Sequence, residues 1–368
     1  MHININRQEL CEAVANLSRA VSQKATIPVL EGIYLDAKDG SLKMTAYNLE
    51  LGMTKNLEAT VYTEGRIVLN ARIFGEMLRK LSGSIVSISD NENMVCRIES
   101  NNTVFEISGM NPNDFPELPE VDSATGVSIP SDLLKDVVRQ TVFAVATSEN
   151  VKPVFTGLLF DINNNELKVV GVDGYRLAVR KEKLKYDGSI SFIAAAKAVN
   201  EAVKIVKDEE KEITLNVGKR HFSITVNGYT IISRIMDGEF INYQKIMSPS
   251  YSSVMTVSAR DIVSIIERIS LVINDQLNTP VRCYLHKGEV IFSCVTAVGK
   301  AFDSCDCSLE GNELEIGFNS KYLTEALKAT ETEKVKLCFN GAVSPMLILP
   351  VEGDSFVYMV MPMRLKGE

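Results

Sequence analysis

The chain has 368 residues, of which 45% are hydrophobic, and it carries a formal charge of −8 with a pI near 5.2. Its size suits two or three domains with ordinary cores, and its acidic balance taken alone argues against a nucleic-acid partner. No apolar run approaches the roughly 20 residues needed to cross a bilayer and no N-terminal stretch resembles a secretory signal, so a soluble, cytoplasmic protein with no membrane partner is expected.

The chain reads as three diverged copies of one unit of about 125 residues. The first copy opens with a predicted helix over 7–20. A strand pattern follows Pro28, at Val29-Leu30-Glu31-Gly32-Ile33, and a second strand run lies at Leu42-Lys43-Met44-Thr45-Ala46. A second helix is predicted over 70–81, where Phe74, Met77, Leu78 and Leu81 form one apolar stripe. Strand Ile85-Val86-Ser87-Ile88 comes next, and the copy closes at Met110.

The second copy repeats this order. A helix is predicted over 131–145, with Ser131 as N-cap and Leu134, Val137, Val138 and Thr141 at helical spacing. Pro153 precedes Val154-Phe155-Thr156-Gly157-Leu158, and Leu167-Lys168-Val169-Val170-Gly171 follows. A helix over 194–206, strand Ile213-Thr214-Leu215-Asn216-Val217 and Met236 complete the copy. The third has a helix over 259–272, then Pro280 before Val281-Arg282-Cys283-Tyr284-Leu285, then Val290-Ile291-Phe292-Ser293-Cys294. Its second helix is predicted over 319–329 on the stripe Leu323, Ala326 and Leu327. Strand Val335-Lys336-Leu337-Cys338-Phe339 and Met361 end it. Turn signals punctuate the strands at Asn163-Asn164-Asn165, Asn227-Gly228 and Lys287-Gly288, and linkers read at residues 122–126 and 248–253. The expected fold class is α+β: three similar domains, 1–122, 127–248 and 253–368, each two helices packed on antiparallel sheet.

Seven cysteines without a regular framework suit a reducing compartment. Cys305 and Cys307 share a strand face, but the only histidines are His2, His221 and His286, so neither a metal nor any other cofactor is expected. The charge is segregated. The six helix segments 7–24, 70–82, 131–147, 194–207, 259–273 and 319–330 carry +1, +2, 0, +2, 0 and +1, which leaves −14 for the rest of the chain. If the helices share a face, that face is basic within an acidic body and suits non-specific contact with phosphates; otherwise these are ordinary solvated side chains.

Three segments carry a resemblance: Val172-Asp173-Gly174-Tyr175-Arg176-Leu177-Ala178, Met236-Asp237-Gly238-Glu239-Phe240, and Val360-Met361-Pro362-Met363-Arg364-Leu365. Together with the length and the three-copy plan, they resemble the bacterial DNA polymerase III beta subunit family, the replicative sliding clamps, over the full length. The resemblance implies a head-to-tail homodimer forming a six-domain ring, with helices lining a hole that encircles duplex DNA without reading sequence. It implies a subunit interface between Phe105 and Ile107 of the first copy and Val272 and Ile273 of the third; the alternative is that these residues belong to intradomain cores.

The resemblance also implies a partner cleft between the second and third copies. Its walls would come from Phe155, Val172, Gly174, Tyr175, Arg176 and Leu177, then Ile241, Lys245 and Ile246, then Ser344, Val360, Met361, Pro362, Met363 and Arg364. Such an apolar, methionine-bearing groove suits short hydrophobic peptides, and the implied partners are the polymerase III catalytic subunit, the clamp loader and other proteins carrying a clamp-binding motif. The alternative for 359–363 is a buried edge strand. Phe155, Tyr175 and Ile241 depart from the family's usual leucine, histidine and proline, and Lys366-Gly367-Glu368 extends past the usual terminal leucine. For DNA the implied contacts are Lys24, Arg72, Lys152 and Lys197, although Pro153 and Val154 stand where the family often has tyrosines.

Nothing in the sequence reads as catalytic. There is no phosphate-binding loop, no dinucleotide fingerprint and no zinc-protease or nucleophile-elbow motif. Asp173 before Gly174 reads as a turn. The competing reading for the whole chain is a repeat-built cytoplasmic peptide-binding scaffold that does not encircle DNA.

Overall fold

A computed structural model describes residues 1–22, 24–121, 126–148, 150–246, 250–273 and 279–365. The predicted linker at 122–126 therefore falls outside the described residues except for Gly126, as do residues 248 and 249 of the linker at 248–253 and the whole 366–368 extension. Two compact units are present, one formed by residues 1–132 and 197–235 and the other by 133–196 and 236–368.

Six α-helices are described: α1 (Arg7–Leu17), α2 (Ala71–Lys80), α3 (Ser131–Arg139), α4 (Ala196–Ile205), α5 (Ala259–Ile269) and α6 (Ser320–Thr330). The first helix of each copy ends sooner than its periodicity predicts and runs on into a 3-10 turn, at Ser18–Ala20, Val142–Ala144 and Ser270–Val272. Four of the six start on a side-chain cap. The Oδ1 of Asn6, Asn70 and Asn319 accepts from backbone N–H groups of the first turn, and the Ser258 hydroxyl accepts from Asp261 N. Ser131 differs from expectation: it is the buried first residue of α3, and its hydroxyl donates to the Glu210 carbonyl. The apolar stripes are real, since Phe74 and Leu78 of α2 and Leu323, Ala326 and Leu327 of α6 are buried.

All strand pairs are antiparallel. In the first unit a five-stranded sheet runs Thr60–Thr63, His2–Asn6, Ile85–Asp90, Val95–Ser100, Thr103–Ser108. An eight-stranded sheet runs Gly126–Pro130, Glu212–Val217, His221–Val226, Tyr229–Arg234, Leu51–Glu58, Ser41–Tyr47, Gly32–Lys38, Gly65–Asn70. In the second unit the strands join into one twelve-stranded sheet, in which Arg176–Lys183 of the second copy pairs with Phe356–Val360 of the third. Likewise Leu51–Glu58 of the first copy pairs with Tyr229–Arg234 of the second. Neighbouring copies are thus fused by backbone ladders. The predicted strands after Pro28 and Pro153 begin later than expected: residues Pro28–Glu31 and Pro153–Thr156 are 3-10 turns, and the strands start at Gly32 and Gly157. Proline at the first turn position lacks the N–H a ladder needs.

The three copies share one turn. Asn48 N, Asp173 N and Thr296 N donate to the carbonyls of Leu51, Arg176 and Gly299, and in each case the side chain of the first residue accepts from the two backbone N–H groups that follow across the turn. Strand ends match in the same way. Met110 bridges Val68, Met236 N donates to Ile193 O, and Met363 bridges Gly317. The residue that closes the third copy is therefore Met363 rather than the expected Met361.

Candidate functional site

One face of the twelve-stranded sheet carries a run of buried apolar side chains, Val170, Val172, Leu177, Val179, Leu347, Val357 and Met359. Strand alternation puts them there: Val170 pairs with Val179, Val172 with Leu177, Leu177 with Met359 and Val179 with Val357. Phe155, Phe240, Ile241, Tyr243 and Met361 lie half-buried along this face. The result is an apolar groove along this face of the sheet.

The predicted cleft residues divide between the two faces of the sheet. Phe155, Val172, Leu177, Ile241 and Met361 belong to the groove. Val360 is fully buried on the opposite face and packs in the helix-side core with Phe356 and Tyr358. Arg176 is also buried. Its Nε donates to Asp173 Oδ2 at 3.0 Å, it pairs with Glu325 of α6, and its guanidinium lies 4.6 Å from the Tyr322 ring centre and 5.5 Å from that of Phe143. This arginine builds the rim from behind. Tyr175 is exposed, stacks on Tyr322 with ring centres 5.9 Å apart, and accepts a backbone bond from Met361 N at 2.8 Å. Gly174 takes φ +92, a left-handed value that lets the turn reverse. Lys245 and Arg364 are exposed; Pro362, Met363 and Ser344 are half-buried, and the side chain of Ile246 lies outside the described residues.

Sequence reasoning missed Val179, Val357, Met359, Phe240 and Tyr243. The alternation of strands Arg176–Lys183 and Phe356–Val360 carried that signal.

Lys24, Arg72, Lys152 and Lys197 are all exposed. Arg72 pairs with Glu76 one turn along α2 at 3.3 Å, whereas Lys24, Lys152 and Lys197 have no ion-pair partner among the described residues. Part of the helix charge is neutralised within each unit. In the first, Arg19 meets Glu201 at 3.1 Å and Lys207 meets Glu12 at 2.8 Å; in the second, Lys328 meets Glu267 at 2.7 Å.

Phe105 and Ile107 share one half-buried face of Thr103–Ser108, the edge strand of the five-stranded sheet. In the second unit Val272 and Ile273 are half-buried against the core at the end of the 3-10 turn after α5. Neighbouring residues that the sequence reading passed over are far more exposed: Leu271 at 85%, Phe302 at 84% and Val298 at 75%. In Lys300–Gly311, residues 300–306 pair with Glu289–Val295 on one side, and no described strand pairs with their other side.

Asp173 is fully engaged as a turn cap and partner of Arg176. Burial pushes the thiols up, Cys96 to about 12 and Cys305 and Cys338 to about 11, so they stay protonated. Among the described residues no cluster of His, Cys, Asp or Glu could hold a metal ion, and no helix is long and apolar enough to cross a membrane.

Residues 1–119, 128–242 and 245–364 match, in order, the N-terminal, central and C-terminal domains of the DNA polymerase III beta subunit. The beta sliding clamp of Staphylococcus epidermidis is 30% identical over 99% of both chains, and that of Bacillus subtilis is 29% identical over 99% of this chain and 100% of its own. Among solved structures, the DNA polymerase sliding clamp from Bacillus subtilis superposes with a TM-score of 0.95 at 28% identity over 100% of both chains. A putative DNA polymerase III beta subunit from Eubacterium rectale gives 0.94 at 28% over 99% of both.

Proposed function

The chain belongs to the DNA polymerase III beta subunit family, and from that premise we propose that two copies close head to tail into a ring around DNA. As a sliding clamp it encircles duplex DNA and tethers the replicative polymerase for processive synthesis. The domains are the three copies, 1–122, 127–248 and 253–368, so the ring has six. In this reading it is a non-catalytic, cytoplasmic subunit, which the likeness to sliding clamps supports.

One observation carries the closure. Each of the first two copies offers the long strand after its shared turn to a strand of the next copy: Gly52 pairs with Ile232, and Leu177 with Met359. In both ladders the receiving residue lies four positions before the closing methionine, Met236 or Met363. Lys300 is the equivalent of Gly52 and Leu177, because Tyr47–Gly52, Val172–Leu177 and Val295–Lys300 are the same hairpin pair. Its strand has an open side, as has the strand that leads to Met110. The repeat therefore supports a third ladder between two copies of the chain, with Lys300 opposite Glu106 and Phe302 opposite Val104. An ion pair and an apolar pair result, and Ala301 meets Phe105 on the face that also holds Val272 and Ile273. A heterologous contact of this kind closes without a free edge.

The basic residues Arg72 and Lys197 on helices α2 and α4, and Lys24 and Lys152 in loops, serve as phosphate contacts that hold the duplex without reading it. The groove around Leu177 and Met361 takes short apolar segments of the polymerase catalytic subunit and of the clamp loader, one at a time.

Cysteine cross-linking tests the closure. A chain carrying Val104→Cys and Phe302→Cys should oxidise to a covalent dimer, whereas each single variant, and Val104→Cys combined with Lys300→Cys, should not. A dimer by light scattering that never cross-links in the first variant would reject this register, and a monomer at micromolar concentration would reject the ring.

A further inference from the structure

At one end of the groove lies a cavity of about 280 Å3, lined by the groove residues Leu177, Val179, Val357 and Tyr243 and, of the predicted cleft residues, by Leu177 alone. Its floor is Leu177, Val179 and Val357, Tyr243 and Gln244 border it, and Lys168 and Lys181 complete its wall. The two lysines sit directly opposite one another on paired strands. Like charges in that position destabilise a sheet, and their alkyl stems lie against an apolar floor. Each ammonium already has one carboxylate, Lys168 that of Glu166 and Lys181 that of Asp354 at 2.8 Å, the latter largely exposed. An ammonium has three donors, so both keep hydrogen-bonding capacity for a second anion.

We propose that this cavity is a further anchor site for partner segments in which an aliphatic residue is followed by an acidic one. The aliphatic side chain fills the space over Val179 and Val357, and the carboxylate bridges Lys168 and Lys181. The proposal rests on the reading of the groove as a partner site, and it adds a requirement for negative charge that the apolar groove does not impose. Val179 lies two residues beyond Leu177 along the strand, roughly 7 Å at the usual rise, so a peptide seated in the groove reaches the cavity with its next residues.

The test uses the full-length protein with labelled valine and leucine methyl groups and two probes, acetyl-Leu-Glu-amide and acetyl-Leu-Gln-amide, titrated by NMR. The charged probe should shift the Val179 and Val357 methyls saturably. The neutral probe should bind them roughly threefold more weakly, the size of one partly exposed ion pair, and Lys181→Gln should abolish the difference. Equal affinities in the unaltered protein, or no response at Val179 and Val357, would overturn the proposal. The Val172 methyls report the part of the groove outside the cavity, titrated with an apolar peptide, so a failure of the partner-site reading would show there.

Discussion

Arg176 shows how a single side chain can serve a site it does not line. Its guanidinium is held by Asp173 and Glu325 and covered by Tyr322 and Phe143, and through this set the turn bearing Tyr175 is fastened to α6. Removing one partner of a buried pair leaves the other charge uncompensated, so Arg176→Ala should lower stability by about 3 kcal/mol. It should also weaken binding of an apolar peptide in the groove, because Tyr175 loses its support. Urea unfolding with an unchanged slope checks the first effect, and a loss below about 1 kcal/mol would show that the network is only solvated surface. Arg176→Lys should recover part of the loss, since lysine keeps the charge without the planar fork.

At the scale of elements, the helices depend on short polar caps. Asn70→Ala and Asn319→Ala each remove an acceptor for a first-turn N–H and should each lower stability by about 1 kcal/mol, read from the urea midpoint. Ser131→Ala tests a different bond, the one to the Glu210 carbonyl. The helices were legible in the sequence because their signal is local: the stripe through Phe74 and Leu78 repeats within one turn, and its face is the one buried. The shared turn was legible at Asp173 for the same reason. What strand residues do was less legible, because facing depends on parity. Val360 and Met361 are adjacent, and only Met361 reaches the groove, since successive strand residues point to opposite faces. The pairings of Gly52 with Ile232 and of Leu177 with Met359 join residues about 180 positions apart, and nothing in a local window marks them. Phe302 and Leu271 escaped notice because an exposed apolar residue reads from sequence as core.

For the molecule as a whole, the acidic balance and the encircling role are compatible because the charges are segregated. The chain carries a net −8, while Lys24, Lys152 and Lys197 stay free of ion-pair partners among the described residues. The proposed phosphate contacts at these lysines would weaken steeply with salt, whereas a closed ring would hold DNA by topology. The direct measurement is retention of the loaded protein on a nicked circular plasmid, before and after a single cut that makes it linear, with a matched bacterial clamp loader. A closed ring predicts retention on the circle at high salt and loss once free ends exist. Equal retention on circle and line would mean that the protein holds DNA by surface contact, and would contradict the ring.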